Sequence, residues 1–163
     1  MQRIHRPSGF VVTDLGKIIE TITALECLTS ENRLPGDGID TEKLAMLHKV
    51  VLGSLVDDDA AGCMQGCQLH LSCSGSCFYV IPGTLQLALL SLDDAEVESF
   101  GRKWSMAEEF QLDRWRGDEV VQCLQDLVSM TRDAFEHNQS LLLWIGNQRQ
   151  GELYPSEYVA QSA

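Results

Sequence analysis

Basic residues are scarce in this 163-residue chain: 12 Lys and Arg stand against 24 Asp and Glu, a formal charge of −12. A surface of that sign repels phosphate backbones, which argues against nucleic acid and other polyanions as partners. Long apolar runs are missing as well. None approaches the roughly 20 residues needed to cross a bilayer, and mean hydropathy is −0.08. The opening Met1-Gln2-Arg3-Ile4-His5-Arg6-Pro7 lacks the charged-then-apolar order of a secretory leader, so the expected setting is the reducing cytoplasm, with no membrane. No repeat of fixed period is present. Nor is there a phosphate-cradling glycine loop, a G-x-S-x-G elbow, an H-E-x-x-H pair or a basic patch interleaved with aromatics. These absences weigh against an enzyme.

What is there suffices for one packed domain. With 44% hydrophobic residues, a chain of this size buries roughly two-thirds of the surface its unfolded form exposes. Residues 1–147 are expected to form that domain, and the polar stretch 148–163 a flexible tail. Gly9-Phe10-Val11-Val12 reads as a short strand that meets a capping Thr13-Asp14. Leu15, Ile18, Ile19, Ile22, Leu25 and Leu28 then fall at helical spacing. A second helix starts at Asp40-Thr41, its apolar positions Leu44, Leu47, Val50, Val51 and Leu55, and is weakened at Gly53. Gln68 to Ser72 and Cys77 to Ile81 suggest a small hairpin. Pro82 suits the first turn of a short helix through Leu90.

Asp93 and Glu96 have capping-box spacing, and Leu92 with Val97 has that of a hydrophobic staple. The helix they start carries Val97, Phe100 and Trp104 inward. A loop near Trp115-Arg116-Gly117 precedes a long helix from about Asp118, buried along Val120, Val121, Leu124, Leu127, Val128, Thr131 and Phe135 and ending at His137-Asn138. Ser140-Leu141-Leu142-Leu143-Trp144-Ile145 is too short for an independent helix and reads as a strand buried on both faces. The predicted class is α+β and predominantly helical: four to five helices packed on a small sheet formed by the terminal strands and a central hairpin.

In order, the strand and helix from Gly9 to Leu25, the Ile39-Asp40 to Leu47-His48 helix running into Leu52-Gly53, the Leu90-Ser91-Leu92-Asp93 helix start and the last helix leading into Leu141 to Gly146 resemble the YfbM-like family of small bacterial proteins of unknown function. The resemblance implies an α+β fold with both terminal strands in one sheet. It implies no activity.

Two clusters could carry chemistry. Cys63, Cys67, Cys73 and Cys77 form C-x3-C-x5-C-x3-C with His70 inside the run. Paired thiolates at such spacing gather around zinc, although the five-residue gap is short for a tetrahedral site. Redox-linked disulfides, half-buried structural side chains and a thiol nucleophile at Cys73 or Cys77 served by His70 are the alternatives. Cys27 and Cys123 fall on helices as core or boundary residues. The second cluster sets Trp104 and Trp115 around Glu108, Glu109 and Asp113, and its first reading has both rings packing the core while the acids face water. If the helix ends near Phe110, Glu108 and Glu109 lie at the disfavoured negative end of its dipole, which points to a partner-facing patch or a longer helix. His48 reads as a boundary side chain rather than a ligand.

Between Asp93 and Glu136 there are 12 acids and 5 bases, so the second half is the acidic one. The leading expectation is therefore a non-enzymatic, protein-binding module, in the manner of a small inhibitor or immunity protein. Its basic partner would meet Trp104, Glu108, Glu109, Asp113 and Trp115. The alternative is a thiolate metal-binding, zinc for instance, or redox-responsive protein using the four clustered cysteines.

Overall fold

A computed structural model of the chain describes residues 7–17, 20–21, 24–25, 34–53, 68–71 and 77–146. In chain order the described elements are β1 (Ser8–Thr13), a 3-10 turn (Leu15–Lys17), α1 (Thr41–Leu52), β2 (Gln68–Leu71), β3 (Cys77–Val80), α2 (Gly83–Leu90), α3 (Asp94–Ser105), α4 (Glu108–Leu112), α5 (Gly117–Glu136) and β4 (Ser140–Ile145). The strands form one antiparallel sheet in the order β1-β4-β3-β2. The protein is thus α+β and predominantly helical, with the terminal strands and the central hairpin in one sheet.

The strand of continuous apolar residues takes the central place that such a sequence requires. Leu141, Leu143 and Ile145 face the helices with Phe10, Leu44 and Leu124, while Leu142 and Trp144 pack on the opposite face with Phe78 and Leu25. Alternate side chains from Leu141 to Ile145 therefore serve two cores.

β1 is an edge strand, and the Leu34–Gly38 loop covers that edge. Phe10 N donates to Pro35 O at 2.7 Å, Gly38 N to Ser8 Oγ at 2.9 Å, and Ser8 Oγ to Gly36 O at 3.5 Å. A covered edge offers no free ladder for another chain to join. Gly36 makes the strap possible: its φ is +79°, and a Cβ there would come within 2.5 Å of the Phe10 ring.

Helix ends follow their caps. Asp14 Oδ1 accepts from Gly16 N at 3.0 Å, and Asp40 Oδ1 accepts from Lys43 N at 2.8 Å. The Asp93–Glu96 box closes in both directions, at 2.8 and 3.3 Å. α1 stops at Leu52 on Gly53, whose φ is +59°. Pro82 is the cap of α2 rather than part of its first turn, and its carbonyl accepts from Gln86 N at 3.0 Å. α3 and α5 approach closely because Gly101 has no Cβ to strike Val121, which would lie 2.8 Å away.

Some expectations need correction. Phe135 is 70% exposed: Ala134 takes the inward position, and the next residue is turned about 100° around the helix. Val50 and Val51 are half-buried, Val51 packing against the core, and α5 starts at Gly117, beside the expected Asp118. Ile18, Ile19, Ile22, Leu28, Leu55 and the 148–163 tail lie outside the described residues.

Gly36→Ala should cost about 2 kcal/mol or more, since left-handed backbone penalises a Cβ and Phe10 must move. Gly83→Ala, with nothing within 4 Å of the new Cβ, should be neutral or slightly stabilising. Urea unfolding of the two variants checks the contrast.

Candidate functional site

The chemistry of the acidic half is organised around a lysine. Lys43, in the first turn of α1, is only 1% exposed. Its Nζ donates to Gly38 O at 3.1 Å, Asp40 Oδ2 at 3.4 Å and Asp113 Oδ2 at 2.5 Å, and sits 5.6 Å from the Phe110 ring centroid. An ammonium has three protons to donate, and all three are placed. The Lys43 carbonyl in turn accepts from Trp104 Nε1 at 2.7 Å. Edge-to-face contacts link Trp104 to Phe110, with centroids 5.0 Å apart, and Phe110 to Trp115, 5.1 Å apart.

This arrangement redistributes the residues expected to meet a partner. Trp104 is fully buried and offers no surface. Asp113, half-buried, is spent on Lys43. Glu108 is exposed, and Glu109 and Trp115 are half-buried. The dipole conflict anticipated for the two glutamates does not arise. α3 ends at Ser105, Ala107 is extended (φ −62°, ψ 141°), and Glu108 and Glu109 open the first turn of α4. Carboxylates are favoured there.

Trp115 also lines a cleft of about 480 Å³ between the Gly36-Asp37 turn and the N-terminal half of α5. Four carboxylates, from Asp37, Asp118, Glu119 and Asp126, surround it with a single guanidinium, Arg116. Arg116 reaches Asp118 and Glu119, each at 3.4 Å, but is 72% exposed, so these pairs contribute little stability. Glu119 also accepts from Arg116 N at 3.0 Å, and Asp126 accepts from Gln122 Nε2 at 3.1 Å.

Cys123, 5% exposed, closes the cleft from inside. Burial first and Asp126 second push its thiol up to about 12, against the opposing pull of Lys43. At neutral pH it is therefore a thiol. The cleft can accept hydrogen bonds and attract positive charge, but it holds no activated nucleophile.

His48 is buried, and its Nε2 lies 3.1 Å from Thr84 Oγ1, joining α1 to the start of α2. Burial lowers its pKa. Of the cysteine cluster, Cys77 sits half-buried on β3 opposite Leu71 and Ile145. Cys63, Cys67 and Cys73, and Cys27 with them, lie outside the described residues. Among the described residues no group of three or more His, Cys, Asp or Glu is arranged to hold a metal ion.

Sequence reasoning missed Lys43, Asp37 and Asp126, while Cys123 is the helical core residue its position suggested. Glu119, Cys123 and Asp126 do share one face of α5, at i, i+4 and i+7, and that spacing was a usable signal. Comparison with protein-family models, curated proteins and solved structures finds no match to the chain.

Asp113→Asn should destabilise more than Lys43→Met. The first leaves a buried ammonium short of a charged acceptor, a loss of about 3 kcal/mol. The second leaves carboxylates that are 24% and 35% exposed and still hydrated. Denaturant midpoints rank the two. His48 predicts a pH effect of definite sign. With its folded pKa lowered, the unfolded chain binds the proton first, so stability falls as pH drops below about 6.5 and levels off beneath the folded pKa. His48→Gln should flatten that part of the stability–pH curve.

Proposed function

We propose that the protein is a non-enzymatic binding module that engages a basic protein partner through its acidic half, as a small inhibitor or toxin-neutralising immunity protein does. The observation that carries this reading is the cleft beside Trp115, where four carboxylates stand against one guanidinium. Its α5 wall belongs to the region of 12 acids and 5 bases, so the short-range acceptors and the long-range field act in the same direction. Such a field raises encounter rates with a cationic surface and falls off with salt. The exposed Glu108 and the half-buried Glu109 and Trp115 supply the accessible part of the recognition surface. Trp104 and Asp113 support it from within. Membership of the YfbM-like family and a cytoplasmic setting belong to the same proposal.

The test is capture from native-host lysate with the purified protein as bait. A basic partner should be retained at low salt and released at high salt, with association slowing about tenfold or more over that range. No salt-sensitive partner at either condition would overturn the reading.

A further inference from the structure

We infer that Lys43 and Asp113 condense into an intramolecular amide, an isopeptide bond between the two side chains, with Asp40 as the carboxylate that moves the protons. The inference is independent of partner binding and concerns the fate of the buried ion pair.

An ammonium and a carboxylate do not condense in water, where both are solvated and meet only briefly. The Lys43 side chain is 1% exposed, and the fully buried Trp104 and Phe110 keep water from it. Trp104 Nε1 donates to the Lys43 carbonyl at 2.7 Å, and the Phe110 centroid lies 5.6 Å from Nζ. Nζ is 2.5 Å from Asp113 Oδ2, which brings it close to the roughly 3–3.5 Å from the carboxyl carbon at which near-attack geometry operates. Two groups so held act at an effective concentration of about 10⁵ M or more. Two buried charges are costly in such surroundings, whereas the amide that replaces them is neutral. Asp40 Oδ2 is 3.4 Å from the same nitrogen, a separation of the kind that tightens as proton transfer proceeds. Its other oxygen accepts from Lys43 N at 2.8 Å, which fixes the orientation of the carboxylate.

The ammonium passes one proton to Asp113 Oδ2 along their hydrogen bond. The amine attacks Cγ and forms the N–C bond. Asp40 takes a second proton from Nζ and returns it to the departing oxygen, so the C–O bond breaks and one water leaves. Asp113, with 24% of its side chain exposed, gives that water an exit. The third proton stays as the amide N–H and keeps its acceptor, Gly38 O, 3.1 Å away. One positive and one negative charge disappear together, and no oxidant or other reactant is needed. The link closes a loop of 70 positions between the first turn of α1 and the residue after α4. Before condensation the pair is the ionic contact already described.

The experiment measures the intact mass of the purified protein, unfolded and reduced, and then maps its tryptic peptides. The mass should be one water below that of the sequence. Trypsin should fail to cut at Lys43 and should release a branched species joining 34–49 to 104–114. Lys43→Arg, which keeps the cation but has no condensable amine, should show the full mass. Asp40→Asn and Asp40→Ser keep a capping side chain for α1 but carry no carboxylate. Freshly purified, they should form the link at least about a hundredfold more slowly. A wild-type protein of full mass, cleaved at Lys43 and unchanged after days of incubation, would overturn the inference. So would a water loss confined to the linear peptide 34–43, the signature of a succinimide at Asp37-Gly38. Linkage as complete in both freshly purified Asp40 variants as in wild type would overturn the role given to Asp40.

Discussion

Burying the Lys43 ammonium to 1% exposure costs several kcal/mol in desolvation unless every proton finds an acceptor and a counter-charge lies close. Those acceptors come from three separate parts of the chain: the end of the edge strap at Gly38, the cap of α1 at Asp40, and the end of α4 at Asp113. The charge therefore cannot be accommodated until all three are in place. Such a pair adds little net stability over a well-packed hydrophobic substitute, but it penalises arrangements in which the three segments come apart. It acts on which structure forms more than on how stable that structure is.

The same clasp sets the geometry of the acidic cleft. The strap that ends on Lys43 begins on Phe10 of β1, and Gly36 and Asp37 between those anchors form one wall. Trp115 on the other wall is positioned through Phe110, which touches both Trp104 and the lysine. Both walls are thus referred to one buried cation, and Cys123 between them feels its charge. On the proposed function, walls organised in this way reduce the ordering cost of association.

Elements governed by local rules could be read from the sequence. The doubly buried β4, the Asp93 capping box, the hairpin and the stop at His137-Asn138, where Asn138 adopts φ 51°, each follow from composition or spacing within a few residues. The break between α3 and α4 could not, because Met106-Ala107 carries no glycine or proline. Its cause is tertiary. Trp104 and Phe110 must both turn inward, yet six positions on a continuous helix place them about 120° apart around the axis. Extending the backbone at Ala107 resolves the conflict. Lys43 escaped notice for a related reason: a lysine in a first helical turn reads as solvated, and the aspartate that buries it lies 70 positions away. Of the residues grouped with Trp115, Trp104 is buried, as its helical spacing indicated, whereas Asp37 on the facing wall lies too far along the chain for local spacing to group it with them.

A double-mutant cycle on Lys43 and Asp113 tests most directly whether one buried charge organises this half of the molecule. Lys43→Met, Asp113→Asn and the double variant would be unfolded in urea, with hydrogen exchange of the Trp104 indole N–H as a local readout. The expected result is strong coupling: the double variant recovers most of the stability that Asp113→Asn loses alone, because no uncompensated ammonium remains, and Trp104 exchange slows with it. Losses that simply add, with Trp104 exchange indifferent to all three changes, would contradict the dependence of the site on Lys43.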